Sequence, residues 1–245
     1  MIEAFRIGAV SRDRTLWEGV DLAAGTGEMW VVAGPPSSGK TVLLHILRGE
    51  RRPDSGDVVV DGESLYRGSP EHNRRFRALS GVVPESLPAE PGKTLRELFL
   101  LSALALGGLT ENEREGRMGD LLSLVGLSGA ENVEISSLSA SERARAAFAV
   151  ELFRSPRYLF LDMFLANAGR EWADRMGALL RALAREERTI LLMERRFPDE
   201  WQAQIAPSPL SAGPFRLYRL AAPPRAPKEK EQQAPVSPVS GTAEG

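Results

Sequence analysis

The chain has 245 residues, with 31 Lys plus Arg against 33 Asp plus Glu, a formal net charge of −2 and no cysteine. That length accommodates one α/β domain with a sizeable core and a subdomain or tail. The composition excludes disulfides, thiolate metal sites and cysteine nucleophiles, and the balanced charge gives no reason to expect nucleic acid as a partner.

The first ten residues carry Glu3 and Arg6 and no apolar run, so they do not read as a signal peptide. Ile2–Val10, Gly19–Ala23 and Glu28–Ala33 read as short strands between turn signals. A Gly/Pro/Ser loop then precedes a helical pattern from Thr41 to Leu47, and a strand over Asp57–Val60 turns at Asp61 and Gly62. Arg74, Arg75 and Arg77 mark the solvated face of a short helix. From about Leu87 to Arg154 the pattern is helical. Leu95, Leu98, Phe99, Leu101 and Leu104 recur near helical spacing and are read mostly as core; Leu121, Leu122, Leu124 and Val125 precede a stop at Gly126.

Strands return in Arg157–Leu161 and Arg188–Met193, continuous apolar runs of the kind buried in parallel sheets, with a helix over Trp172–Ala184 between them. This order predicts an α/β domain with a helical insertion. Ala221–Gly245 has five prolines and no aromatic residue, the composition of a disordered tail. The most apolar stretch, Leu98–Leu109, falls well short of the roughly twenty residues a membrane-spanning helix needs. A cytoplasmic location is therefore expected, peripheral to a membrane where a membrane protein recruits the chain.

Gly34-Pro35-Pro36-Ser37-Ser38-Gly39-Lys40-Thr41 fits G-x-x-x-x-G-K-[ST]. Successive N–H groups of such a loop cradle phosphate oxygens, and the following helix presents its positive end. Lys40 is placed to reach the β- and γ-phosphates and the Thr41 hydroxyl to ligate Mg²⁺, with Val42 next in the nucleotide-binding segment. Strand before and helix after supply the context that the motif requires. A guanine-reading N/T-K-x-D motif is missing from the sequence, which argues against a GTPase.

Downstream, Ser136 to Arg145 opens a helix that leads to Ser155-Pro156-Arg157-Tyr158-Leu159-Phe160-Leu161-Asp162. This resembles the ABC ATPase family, with a signature loop (Leu138, Ser139, Ala140, Ser141, Glu142), its helix, and a Walker B strand ending in Asp162. Pro53-Asp54, Ser55-Gly56 and the run from Val58 to Gly62 are likewise similar. The resemblance implies a P-loop NTPase core with an antiparallel β subdomain and an inserted α-helical subdomain, spanning 1–220 with the insertion at about 86–155. It also implies ATP and Mg²⁺ as cofactors, Thr41 and Asp162 at the metal, and a dimer with itself or another ABC ATPase subunit. A transmembrane subunit would dock on the helical insertion.

Several positions depart from that pattern. Met163 stands where active members carry a catalytic Glu, and a thioether has no basic lone pair suited to polarising water. Arg195 stands at the γ-phosphate-contacting His, Glu85 at the Gln that opens the insertion, and Gly169 at the Asp of the loop Leu165–Gly169. Ala140 and Ser141 replace the two signature glycines, and Ser11 falls near the aromatic that stacks on adenine. Phe5 and Trp17 are substitutes for that aromatic but read better as core. The two histidines, His45 and His72, lie too far off to replace the missing one. Glu194 is a candidate displaced base; its competing reading is a solvated acid paired with Arg195 or Arg196. Four altered catalytic positions beside an intact phosphate loop imply an ATP-binding subunit that hydrolyses poorly or not at all. A working ATPase and an interaction module without nucleotide are the alternatives.

Overall fold

Two sheets organise the protein. In the computed structural model, which describes residues 1–11, 14–85, 87–89, 91–196 and 215–221, β1 (Ile2–Ser11) lies between β2 (Arg14–Ala24) and β4 (Ser55–Val60). It runs antiparallel to both, and β5 (Glu63–Ser64) pairs with β4 at the sheet's edge. The second sheet is parallel. Its order is β6 (Ser80–Val83), β7 (Tyr158–Asp162), β8 (Thr189–Glu194), β3 (Met29–Ala33), β9 (Phe215–Arg219).

Every residue of β7 and β8 is buried, as a parallel strand covered on both faces requires. Alternation along these strands divides the core in two. Met29, Val31, Leu159, Leu161, Ile190 and Leu192 face one apolar cluster, shared with the helical segments. Val32, Tyr158, Phe160, Leu191 and Met193 face the other, completed by the antiparallel sheet and by α1 (Lys40–Leu47). Helix α1 is therefore wedged between the two sheets, with the phosphate loop at its start.

Helices α3 (Leu95–Leu106), α4 (Glu111–Leu124) and α5 (Ala140–Leu152) follow β6 and precede β7. Each begins at a capping box: Thr94 with Glu97, Thr110 with Glu113, Ser139 with Glu142. Hydroxyl and carboxylate exchange hydrogen bonds with the first-turn N–H groups, so three helix starts are satisfied locally. The chain then returns through β7, α6 (Phe164–Ala168), α7 (Arg170–Arg185) and β8. At the base of the helical segment the buried Arg145 donates to the Val125 carbonyl at 2.6 Å and lies 4.3 Å from the Trp172 ring centroid. Gly126, at φ +70, lies so close that a Cβ would come within 2.0 Å of the indole.

The observed architecture is the expected α/β class with an antiparallel sheet beside a parallel one. Details differ. β6 and β9 add parallel strands to those read from the sequence, and β2 starts five residues before Gly19. Helix α3 is not mostly core: Leu95 and Phe99 are buried, while Leu101 and Leu104 are 58% and 76% exposed. Spacing shows that a helix has an apolar stripe, but here the stripe is wider than the neighbour that covers it. Phe5 is not core either, being 49% exposed on the outer face of β1. The expected tail, apart from Ala221, lies outside the described residues. Among the described residues, no helix is long and apolar enough to cross a membrane.

Candidate functional site

The phosphate loop leaves β3 at Gly34, whose N–H donates to the Glu194 carbonyl at 3.2 Å. A side chain there would press a Cβ to 2.6 Å from Ser38 Oγ and 2.9 Å from the Leu220 carbonyl, so the strand exit needs glycine. Gly39 takes φ +87 at the other end, and a Cβ would come 2.6 Å from Trp17 Nε1. Trp17 is thus packed on the loop from outside, and its indole N–H is buried without a partner among the described residues. The loop folds over its own lysine: Lys40 Nζ donates to the carbonyls of Gly34 (2.7 Å) and Pro35 (2.9 Å) and lies 3.4 Å from Ser38 Oγ.

Helix α1 starts differently from α3, α4 and α5. Its N-cap is Gly39, with no side-chain cap and no acidic residue in the first turn. Its positive end is left to whatever enters the cavity. That cavity has a volume of about 650 Å³ and is bordered by Pro36, Ser37, Lys40, Thr41, Val42, Glu85, Asp162, Met163 and Arg195. Ser11, Arg14 and Leu16 close the side where the end of β1 pairs with the start of β2.

Thr41 Oγ1 donates to Asp162 Oδ2 at 2.9 Å, which joins residues 121 positions apart at the end of β7. Burial raises the Asp162 pKa; the Thr41 hydrogen bond opposes this, and the Glu85 charge adds to it. Burial lowers Lys40, while the facing carboxylate of Asp162 pulls it back up. An ammonium, an uncapped helix start and a hydroxyl–carboxylate pair at one cavity suit a magnesium nucleotide. Lys40 and α1 would hold the phosphates, and Thr41 with Asp162 would hold Mg²⁺, whose charge offsets that of the phosphates.

Met163 follows Asp162 at φ 53, borders the cavity, and is 6% exposed. Its N–H donates to the Met193 carbonyl at 2.8 Å. Glu85 is fixed through its carbonyl, which accepts from Asn167 Nδ2 at 2.6 Å. Glu194 is not the solvated acid the sequence suggested. It is 3% exposed, and its carboxylate accepts from the Leu165 N–H at 2.7 Å and from that of Ala166. Burial pushes its pKa up to about 7, against the pull of those two hydrogen bonds. It caps α6 from below instead of lining the cavity, and among the described residues no arginine pairs with it.

Leu138, Ser139, Ala140, Ser141 and Glu142 do not border this cavity. Ser139 and Glu142 form the capping box of α5, and the Ser141 hydroxyl donates to the Ala168 carbonyl. Gly169, at φ +93, makes room: a Cβ there would sit 2.8 Å from Ser141 Oγ. Two departures from the family pattern are therefore a matched pair, which only proximity reveals. Sequence reasoning also missed Arg14 and Leu16 on the cavity wall; their closeness to Ser11 was the available signal.

A family model described as ABC transporter matches residues 17–164, well over half of the chain. The chain belongs to the ABC transporter ATP-binding family. Among its relatives, the Fe(3+) ions import ATP-binding protein FbpC of Streptomyces avermitilis is 34% identical over 179 residues, covering 73% of this chain and 50% of that protein. The lipoprotein-releasing system ATP-binding protein LolD 1 of Caulobacter vibrioides is 33% identical, covering 72% of this chain and 76% of its own length. The methionine import ATP-binding protein MetN of Geobacillus kaustophilus is 32% identical over 60% of this chain and 43% of its length. This ABC-family chain thus spans about half of two of these relatives. Its fold matches the dimeric ATP-binding cassette MJ0796 in a post-hydrolysis state with ADP and phosphate, with a TM-score of 0.71 and 21% identity over 80% of this chain and 88% of that one.

Proposed function

We propose that this chain is the ATP-binding subunit of an ABC-type membrane complex, one that binds Mg-ATP and hydrolyses it poorly or not at all. One observation carries the reading. Lys40, Thr41 and Asp162 meet at one cavity, while the wall position next to Asp162 holds the thioether of Met163. Of the other acids nearby, Glu194 is held by backbone N–H groups beneath the loop, and Glu85 borders the cavity where the family carries a Gln. Binding groups are present and the family's water-activating Glu is replaced by Met163, so nucleotide would act as a switch or a structural clamp. General-base catalysis contributes roughly 10²–10⁴ in rate, and its loss is enough to leave a bound triphosphate long-lived.

The separation of the signature loop from the cavity suits a composite site, in which Ser139 and its neighbours meet nucleotide held by a second ATP-binding subunit. The exposed leucines of α3, Leu100, Leu101, Leu104 and Leu106, suit docking by a transmembrane subunit.

The test is calorimetric titration with ATP and Mg²⁺ alongside phosphate release, for the chain and for Lys40→Ala. Binding that the substitution abolishes, with turnover no higher than in that variant, is the expected result. Turnover well above Lys40→Ala would overturn the non-hydrolytic reading, and absence of binding would overturn the nucleotide reading altogether.

A further inference from the structure

A second cavity, of about 320 Å³, lies away from the phosphate loop, between α2 (Pro70–Ala78), the end of β4 and the start of β7. That volume is at the lower bound for small-molecule sites. Phe76 and Leu79 supply apolar wall, and Asp61, His72, Arg75, Arg157 and Tyr158 supply the polar groups.

The charges are not balanced. Asp61 is already committed: it accepts from the Met1 ammonium at 2.6 Å, from the Tyr158 hydroxyl at 2.5 Å and from Arg157 at 3.3 Å. Burial raises its pKa, yet these three partners together hold it below its ordinary value, so it stays ionised and engaged. Arg75 has neither an ion pair nor a side-chain hydrogen bond among the described residues, although its field reaches Tyr158. His72 is 15% exposed, with Nδ1 3.7 Å from Glu63 and with Nε2 buried and lacking a partner among the described residues. A buried polar atom without a partner is uncommon in a folded protein. One carboxylate with three donors already on it, beside a guanidinium with no ion pair among the described residues and an apolar wall, gives the cavity a positively charged lining.

We infer that this cavity, anchored by Arg75 and walled by His72, Phe76 and Tyr158, binds a small organic anion made of a phosphate or carboxylate head on an apolar body. Guanidinium recognises either head through paired N–H donors, and the ring and leucine surfaces take up the body. The position also bears on the nucleotide site, since β7 begins here at Tyr158 and ends at Asp162. The inference stands independently of whether ATP is hydrolysed.

The chain's two histidines make the test simple, because imidazole NMR resonances of His45 and His72 can be assigned from one substitution. Phenyl phosphate is titrated into the Lys40→Ala variant, which removes the phosphate loop as a competing site. The expected result is a saturable shift of the His72 resonances with those of His45 unmoved, no shift with phenol, and affinity reduced about tenfold or more by Arg75→Gln. Benzoate and inorganic phosphate, titrated in parallel, distinguish the preferred head and the contribution of the apolar body. Because Arg75 is exposed, the Gln variant should fold normally, which its amide spectrum checks. No saturable His72 shift at millimolar phenyl phosphate, or a shift that Arg75→Gln leaves unchanged, overturns the proposal.

Discussion

Glu194→Gln should change how stability depends on pH, the wild type gaining on the variant progressively as the pH falls. The carboxyl is 3% exposed and pushed up from 4.5 to about 7, chiefly by burial. A carboxyl whose pKa rises on folding binds more protons in the folded state than in the unfolded one. Wild-type stability from this group therefore increases as pH drops through 7 toward 4.5, and above pH 7 the ionised side chain is a cost. Two and a half pH units correspond to roughly 3 kcal/mol when ionisation is complete. Glutamine keeps an acceptor for the Leu165 N–H but presents an NH₂ group near Ala166, which shifts the whole curve by a constant without altering its slope. Glu151, also raised by burial, titrates in both proteins and cancels in the difference, whereas Asp162, whose charge helps raise Glu194, cancels only in part. Urea unfolding of both proteins between about pH 8 and pH 5 should show the stability difference moving by ~2–3 kcal/mol in favour of the wild type. Curves that stay parallel within ~0.5 kcal/mol would refute the placement of a buried, titrating carboxyl beneath the phosphate loop.

Further outcomes follow from the same geometry. Met163→Glu puts a carboxylate on the cavity wall next to Asp162, and phosphate release should rise by ~10² or more over the wild type; unchanged turnover with intact ATP binding would show that the missing base is not the limiting defect. Gly169→Asp meets both φ +93 and the Ser141 hydroxyl, and should destabilise by roughly 2–3 kcal/mol. In a Ser141→Gly background only the steric part of that cost should vanish, which chemical unfolding of the four proteins resolves. Leu101→Glu with Leu104→Glu alters exposed positions, so stability should hold within ~0.5 kcal/mol while recruitment to membranes carrying the transmembrane subunit falls. Undiminished recruitment would remove α3 as the docking face.

Local chemistry made much of this protein legible in its sequence. Gly34 to Thr41 announce a phosphate loop because only glycine tolerates the exit from β3 and the turn into α1. The apolar runs of β7 and β8 announce buried parallel strands because both faces are covered. The T-x-x-E and S-x-x-E spacings announce helix starts because hydroxyl and carboxylate can satisfy N–H groups three residues apart. The absence of a Glu after Asp162 is equally plain from the residues alone.

Tertiary structure decided what depends on neighbours distant in the chain. Spacing placed Glu194 at the end of a strand. Only the packing of α6 over β8 made it a buried cap instead of a surface acid or a base, because burial and the Leu165 N–H come from another element. Ser141 and Gly169 each looked like a loss until the fold put one against the other. The stripe on α3 read as core because periodicity records which residues share a face, and exposure depends on whether a neighbour covers that face. Arg75 looked like one of three solvated arginines; the fold set it beside a committed Asp61, an imidazole nitrogen with no partner among the described residues, and an apolar wall. Sequence periodicity and motif spacing act within a few residues, whereas burial and charge balance are summed over everything the fold brings near.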